Sequence, residues 1–103
     1  MLELGLADGF EWDDGNRGKN LKHGVTDREA EQVFFSLHLL VLEDHAHSAA
    51  ERRFHALGQA ADGRQLHVTF TLRGQGRRIR VISARDMHRR ERAIYEAKVE
   101  EGS

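Results

Sequence analysis

Alternation is cleanest in "QLHVTFTLR", residues 65–73. Leu66, Val68, Phe70 and Leu72 fall on one side, and His67, Thr69 and Thr71 on the other. A period of two predicts a strand with one apolar face. "RRFHALGQA" alternates in the same way, with Phe54, Ala56 and Gly58 opposite Arg53, His55 and Leu57. Between them "ADGR" carries Asp-Gly, the strongest short hairpin signal. "RGQGR" is a second turn, and "RIRVIS" a strand with Ile79 and Val81 inward. "LHLLVLED" reads as another strand, or in part as an extension of the helix before it, followed by the polar loop "HAHSAAE". "GFEWD" reads as a short strand with Phe10 and Trp12 on one face.

Helical spacing appears in three places. Asp13 offers an N-cap for "DGNRGKNLK", and Gly24 in "KHGV" stands where a left-handed C-cap ends it. "TDRE" is a capping box for a helix from Asp27 to Ser36, with Ala30, Val33 and Phe34 as its buried stripe. Ser83 and Asp86 form a similar box for a last helix reaching Val99 or Glu100, with Met87, Ile94 and Ala97 toward the core. The predicted order is β-α-α-β-β-β-β-α. Tight turns between the strands imply an antiparallel sheet, flanked by two N-terminal helices and one C-terminal helix. That is an α+β fold in one domain, 1–103.

Composition narrows the class. A chain of 103 residues, 39% hydrophobic and 32% charged, suits a soluble globular protein with a modest core. With no cysteine there is neither a disulfide nor a thiolate metal site. No apolar run has the length of a membrane span, and the N-terminus lacks the basic region of a signal peptide, so a cytoplasmic location without membrane contact is expected. A net charge of −1 hides an asymmetry. Residues 1–62 carry six Lys/Arg against twelve Asp/Glu, and residues 63–103 carry ten against five. The basic half either meets an anionic partner or pairs with the acidic half.

Seven arginines lie between Arg77 and Glu96. On the predicted elements, Arg78 and Arg80 share a strand face, and Arg85, Arg89 and Arg92 share a helix ridge. Guanidinium groups bind phosphate through bidentate, charge-assisted bonds, so the junction at "ISAR" is a candidate anion site. The alternative is a solvated helix face paired with Glu91 and Glu96. In "KHGV", Lys22 and His23 either complement a helix C-terminus or supply a cation and a proton-transfer group. Asp44, His45 and His47 in "EDHAHS" have metal-ligand spacing but no evident third strong ligand, so no metal or other cofactor is assigned. Phosphate-cradling glycine loops, serine-hydrolase elbows and His-Glu-x-x-His are all missing from the sequence.

The ordered series "FEWD", "NLKHGV", "EDHAHS", "ERRFHALG", "GRQLHVTFTLRG" and "IRVISARDMHRRERAIYE" resembles the BrnT family of bacterial type II toxins from about Phe10 to Glu96. The resemblance implies a fold similar to the RelE toxins and an endoribonuclease that cuts RNA. It also implies a co-encoded ribbon-helix-helix antitoxin that neutralises the toxin and carries the contacts to operator DNA. Metal-free RNA cleavage uses the substrate's 2′-hydroxyl as nucleophile, and needs a base, an acid and cations around the phosphorane. On that reading Arg80 and Arg85, with Arg89, clamp the phosphate, His23 transfers protons with His67 as the second candidate, and Lys22 adds a cation. Arg78, Arg89, His67 and Tyr95 contact substrate, Tyr95 either by stacking a base or else packing on the sheet. Two competing functions are a non-catalytic, decayed toxin that binds a DNA-binding antitoxin, and a metal-dependent enzyme at the histidine cluster.

Overall fold

A computed structural model of the chain describes residues 7–47 and 51–102, without the side chain of His47. Residues 48–50 of the expected "HAHSAAE" loop therefore lie outside the described part, as does the His47 imidazole.

The sheet is built on the hairpin that the alternation predicts. Strands β3 (Arg53–Gln59) and β4 (Gln65–Arg73) pair antiparallel around the Asp62–Gly63 turn, where Gly63 takes φ 89°. The next turn, Gly74–Gln75–Gly76, holds three successive positive φ angles and leads into β5 (Arg78–Asp86). β2 (Leu40–Glu43) adds antiparallel to β3. The two-residue β1 (Gly9–Phe10) adds parallel to β5, so the order is β1-β5-β4-β3-β2 and the sheet is mixed, not wholly antiparallel as expected.

One face of the sheet is the core. Phe54, Ala56, Leu66, Val68, Phe70, Ile79, Val81 and Ala84 pack beneath helix α1 (Asp27–Val33), which contributes Ala30 and Val33. Phe34 joins them, its ring 4.9 Å from Phe70 and edge-on. Thr26 and Glu29 cap α1 as a full capping box. The helix ends at Val33 rather than Ser36, and Phe35 and Leu37 project into solvent. Gly58 explains how closely α1 lies on β3. A Cβ there would stand 2.9 Å from the Val33 carbonyl oxygen and 3.0 Å from its Cγ1, besides meeting the Ser36 hydroxyl. Only glycine allows that approach.

Two expected helices differ. The segment after Asp13 forms turns and then a 3₁₀ helix, Lys19–His23, not an α-helix. Its work is to satisfy the free edge of β5 beyond β1. Asn16 Nδ2 donates to the Val81 carbonyl at 3.0 Å, and Asn20 Oδ1 accepts from the Ala84 amide at 2.9 Å. Both asparagines are buried. The last helix, α2 (Arg89–Glu101), starts later than expected because β5 pairs with β4 as far as Leu66↔Asp86. Ser83 and Asp86 are thus strand residues, and the cap is His88, whose amide donates to Glu91 Oε1 at 2.7 Å. The phase of α2 shifts accordingly: Tyr95 and Val99 pack inward with Leu57, Met87 and Leu40, while Ile94 and Ala97 are exposed. The fold is therefore α+β with two α-helices instead of three. Among the described residues, no helix is long and apolar enough to cross a membrane.

Candidate functional site

The sheet face away from α1 is only partly covered, because α2 packs over Leu57 and leaves the neighbouring positions open. His55 lies opposite Thr69, Leu57 opposite His67, and His67 opposite Arg85 across three adjacent strands. Arg85 reaches this face through a bulge. Thr69 pairs with Ser83 but Phe70 with Val81, so Ile82 is an extra residue. Ile79 and Val81 point inward, and strict alternation would turn Arg85 inward with them. The bulge reverses the phase beyond Ile82, so Ala84 enters the core and Arg85 faces out.

The result is a cleft of about 400 Å³ lined by Leu42, His55, Leu57, His67, Thr69, Arg85, Glu91 and Ile94. His55 sits between a carboxylate and a hydroxyl. Its Nε2 is 2.9 Å from Asp44 Oδ2, and its Nδ1 is 3.0 Å from Thr69 Oγ1. The His55 and His67 rings lie 4.8 Å apart, tilted by 37°. His67 is 8% exposed, and its Nδ1 is buried with no hydrogen-bond partner among the described residues. Burial first, and then the Arg85 charge, pull the His67 imidazole from its usual range down to about 4, so it is neutral at pH 7. Glu91 Oε2 lies 3.7 Å from His67 Nε2.

Glu91 ties the cleft to α2. Arg85 donates to both of its oxygens, at 2.8 and 3.0 Å, and also to the Asp86 carbonyl at 3.0 Å. The Arg85 bonds, with help from the His88 amide, hold the Glu91 carboxyl down at about 2. One carboxylate therefore caps a helix, orients a guanidinium and faces an imidazole.

The other predicted arginines are placed differently. Arg85 is not on a ridge with Arg89 and Arg92, since it belongs to β5 and they to α2. Arg80 is committed to the acidic N-terminal segment. It donates to both Asp13 oxygens and to Glu11, each at 2.9 Å, with its side chain 16% exposed. Glu11 also faces Arg78 and Arg73, and Asp8 pairs with Arg77 at 2.7 Å. Much of the charge asymmetry is thus internal pairing. Arg89 and Arg90 are exposed and have no ion pair among the described residues.

Gly24 takes the expected left-handed conformation, φ 72°. Lys22 and His23 before it are exposed, with no side-chain partner among the described residues, and they do not line the cleft. Their turn is fixed by Arg64, which donates to the Gly24 carbonyl at 2.6 Å and bidentately to Asp86 at 2.7 and 3.0 Å. Tyr95 is 1% exposed among Leu57 and Met87, so its ring is unavailable for stacking on a base. Asp44 is engaged by His55, and His45 lies 3.9 Å from Glu43.

Sequence reasoning passed over His55, Thr69, Asp44 and Glu91 as a group. The signal was present: the Asp-Gly turn sets the β3–β4 register, and that register alone puts His55, His67 and Thr69 on one face.

A comparison with curated proteins returns no match. A family profile described as the ribonuclease toxin BrnT of type II toxin-antitoxin systems matches residues 12–91, which include every polar residue of the cleft. The chain belongs to this BrnT family of ribonuclease toxins.

Proposed function

We propose that this protein is the toxin of a type II pair, and that it cleaves RNA internally in the His55–His67–Arg85 cleft without a metal ion. The observation that carries the reading is the pairing of an anchored cation with two imidazoles in one cleft large enough for a nucleotide's reacting part. Arg85 uses three of its five N–H groups on Glu91 and Asp86. The remaining two have no partner among the described residues, and bonds from them to a phosphate oxygen would strengthen as charge builds on the phosphorane. His67, kept neutral, lines the cleft beside Arg85 without adding a positive charge there, while its Nδ1 stays buried. Arg89 and Arg90, without ion pairs among the described residues, draw the flanking phosphates, and the exposed Lys22 and His23, outside the cleft, add to that attraction. The nucleophile is the substrate's own 2′-hydroxyl. A ribbon-helix-helix antitoxin neutralises the toxin and carries the DNA contacts of the complex. In this arrangement the chain runs as one domain over 1–103 and acts in the cytoplasm.

End-group analysis tests the mechanism. Purified protein and a defined RNA in excess chelator should yield 5′-hydroxyl ends and 2′,3′-cyclic phosphates, and a 2′-deoxy substitution at the cut position should block cleavage. Cleavage that requires a divalent ion, or that proceeds at the deoxy position, contradicts the proposal.

A further inference from the structure

We infer that His55 is the proton-transfer group of this cleft, with Asp44 as its positioning residue; the inference rests on the ribonuclease reading above. The Asp44 carboxylate, 2.9 Å from Nε2, can only accept, so Nε2 carries the proton and Nδ1 keeps the lone pair. In the free protein that lone pair is covered by the Thr69 hydroxyl at 3.0 Å. Rotation of the Thr69 side chain about Cα–Cβ swings Oγ1 away and uncovers Nδ1 for an incoming 2′-hydroxyl. This order of carboxylate, imidazole and hydroxyl is the logic by which a neutral imidazole becomes a base.

His55 has what His23 and His67 lack. His23 is outside the cleft, and His67 has no carboxylate within hydrogen-bond distance, Glu91 being 3.7 Å away and already held by Arg85. The His55 side chain is 28% exposed, so it meets substrate while Asp44, at 12%, stays shielded behind it. The charged and titratable groups facing His55 are Asp44 after β2, His67 on β4, Arg85 on β5 and Glu91 on α2.

In the step itself Nδ1 takes the proton of the 2′-hydroxyl as that oxygen bonds to phosphorus. The phosphorus–O5′ bond breaks, a 2′,3′-cyclic phosphate forms, and the leaving 5′-oxygen takes a proton from water. The His55 imidazolium, stabilised by Asp44, then releases its proton to solvent, and the balance is closed.

Single-turnover cleavage of a short RNA between pH 5 and 8.5 tests this with His55→Ala, His55→Gln and Asp44→Asn. Binding of the 2′-deoxy analogue and thermal melting serve as controls for recognition and folding. Loss of general-base catalysis should slow both His55 variants about 10²–10⁴-fold and flatten the rise of rate with pH. Added imidazole should partly rescue His55→Ala. Asp44→Asn should slow the single-turnover rate while leaving binding of the 2′-deoxy analogue unchanged, because the imidazole loses the carboxylate that fixes its orientation and its Nε2 proton. Folded His55 variants that bind the analogue and keep the wild-type rate and profile overturn the inference and leave the ribonuclease reading standing. A wild-type protein that binds RNA without cutting it overturns both.

Discussion

Burying a neutral histidine against an arginine makes folding depend on pH from the ordinary histidine range downward, beginning above the range where carboxylates titrate. In the unfolded chain His67 titrates near the ordinary histidine value of 6.5, and in the fold at about 4. Between those values the unfolded chain binds a proton that the fold refuses. Stability contributed by this group is therefore complete above about pH 6.5 and is lost as pH falls toward 4. At about 1.4 kcal/mol per pH unit the full window amounts to roughly 3 kcal/mol, most of it already lost by pH 4.5. Against a typical domain stability of about 5–15 kcal/mol this is a large share. Urea denaturation of wild type and His67→Gln at pH 7.0 and 4.5 measures it, the variant serving to subtract the other histidines. With a slope of about 1–2 kcal/mol per molar urea, the wild-type midpoint should fall about 1–2 M further than that of the variant. Equal pH dependence in the two proteins would show that His67 is protonated freely in the fold, and the neutral imidazole assigned to the cleft would be wrong.

The other features of the cleft and core make separate claims. Glu91→Gln should lower the melting temperature and cut RNA cleavage at least tenfold, since it weakens the anchor of Arg85 and the cap of α2 together; its stability deficit should shrink as pH falls below 4.5 toward 2, where wild-type Glu91 loses its own charge. Gly58→Ala should destabilise by about 1–3 kcal/mol in urea titrations, because the new methyl meets the Val33 carbonyl.

Local pattern carried the β3–β4 hairpin almost residue by residue, because alternation and an Asp-Gly turn agree with each other. The same kind of reading failed for residues 83–88. There a capping signal at Ser83 and Asp86 competes with a nine-residue β4 that needs a partner along its whole length, and the ladder wins. The fate of Arg85 followed from that contest and from the Ile82 bulge, which no local pattern announces. Arg80 shows the opposite case. Charge asymmetry between the halves was visible, but only the fold brings Glu11 and Asp13 against β5 and turns a candidate phosphate clamp into an internal ion-pair network. The Asp44–His55 contact depends on the β2–β3 register, with Glu43 opposite Phe54, and so on a strand whose edges the sequence leaves soft.

The central claim is that the cation of the cleft, not the arginine bound to the N-terminal segment, serves catalysis. Rates of RNA cleavage by Arg85→Gln and Arg80→Gln, both verified as folded, decide it most directly. Arg85→Gln should lose at least about 100-fold and Arg80→Gln less than about tenfold. The reverse order, or full activity in Arg85→Gln, contradicts it.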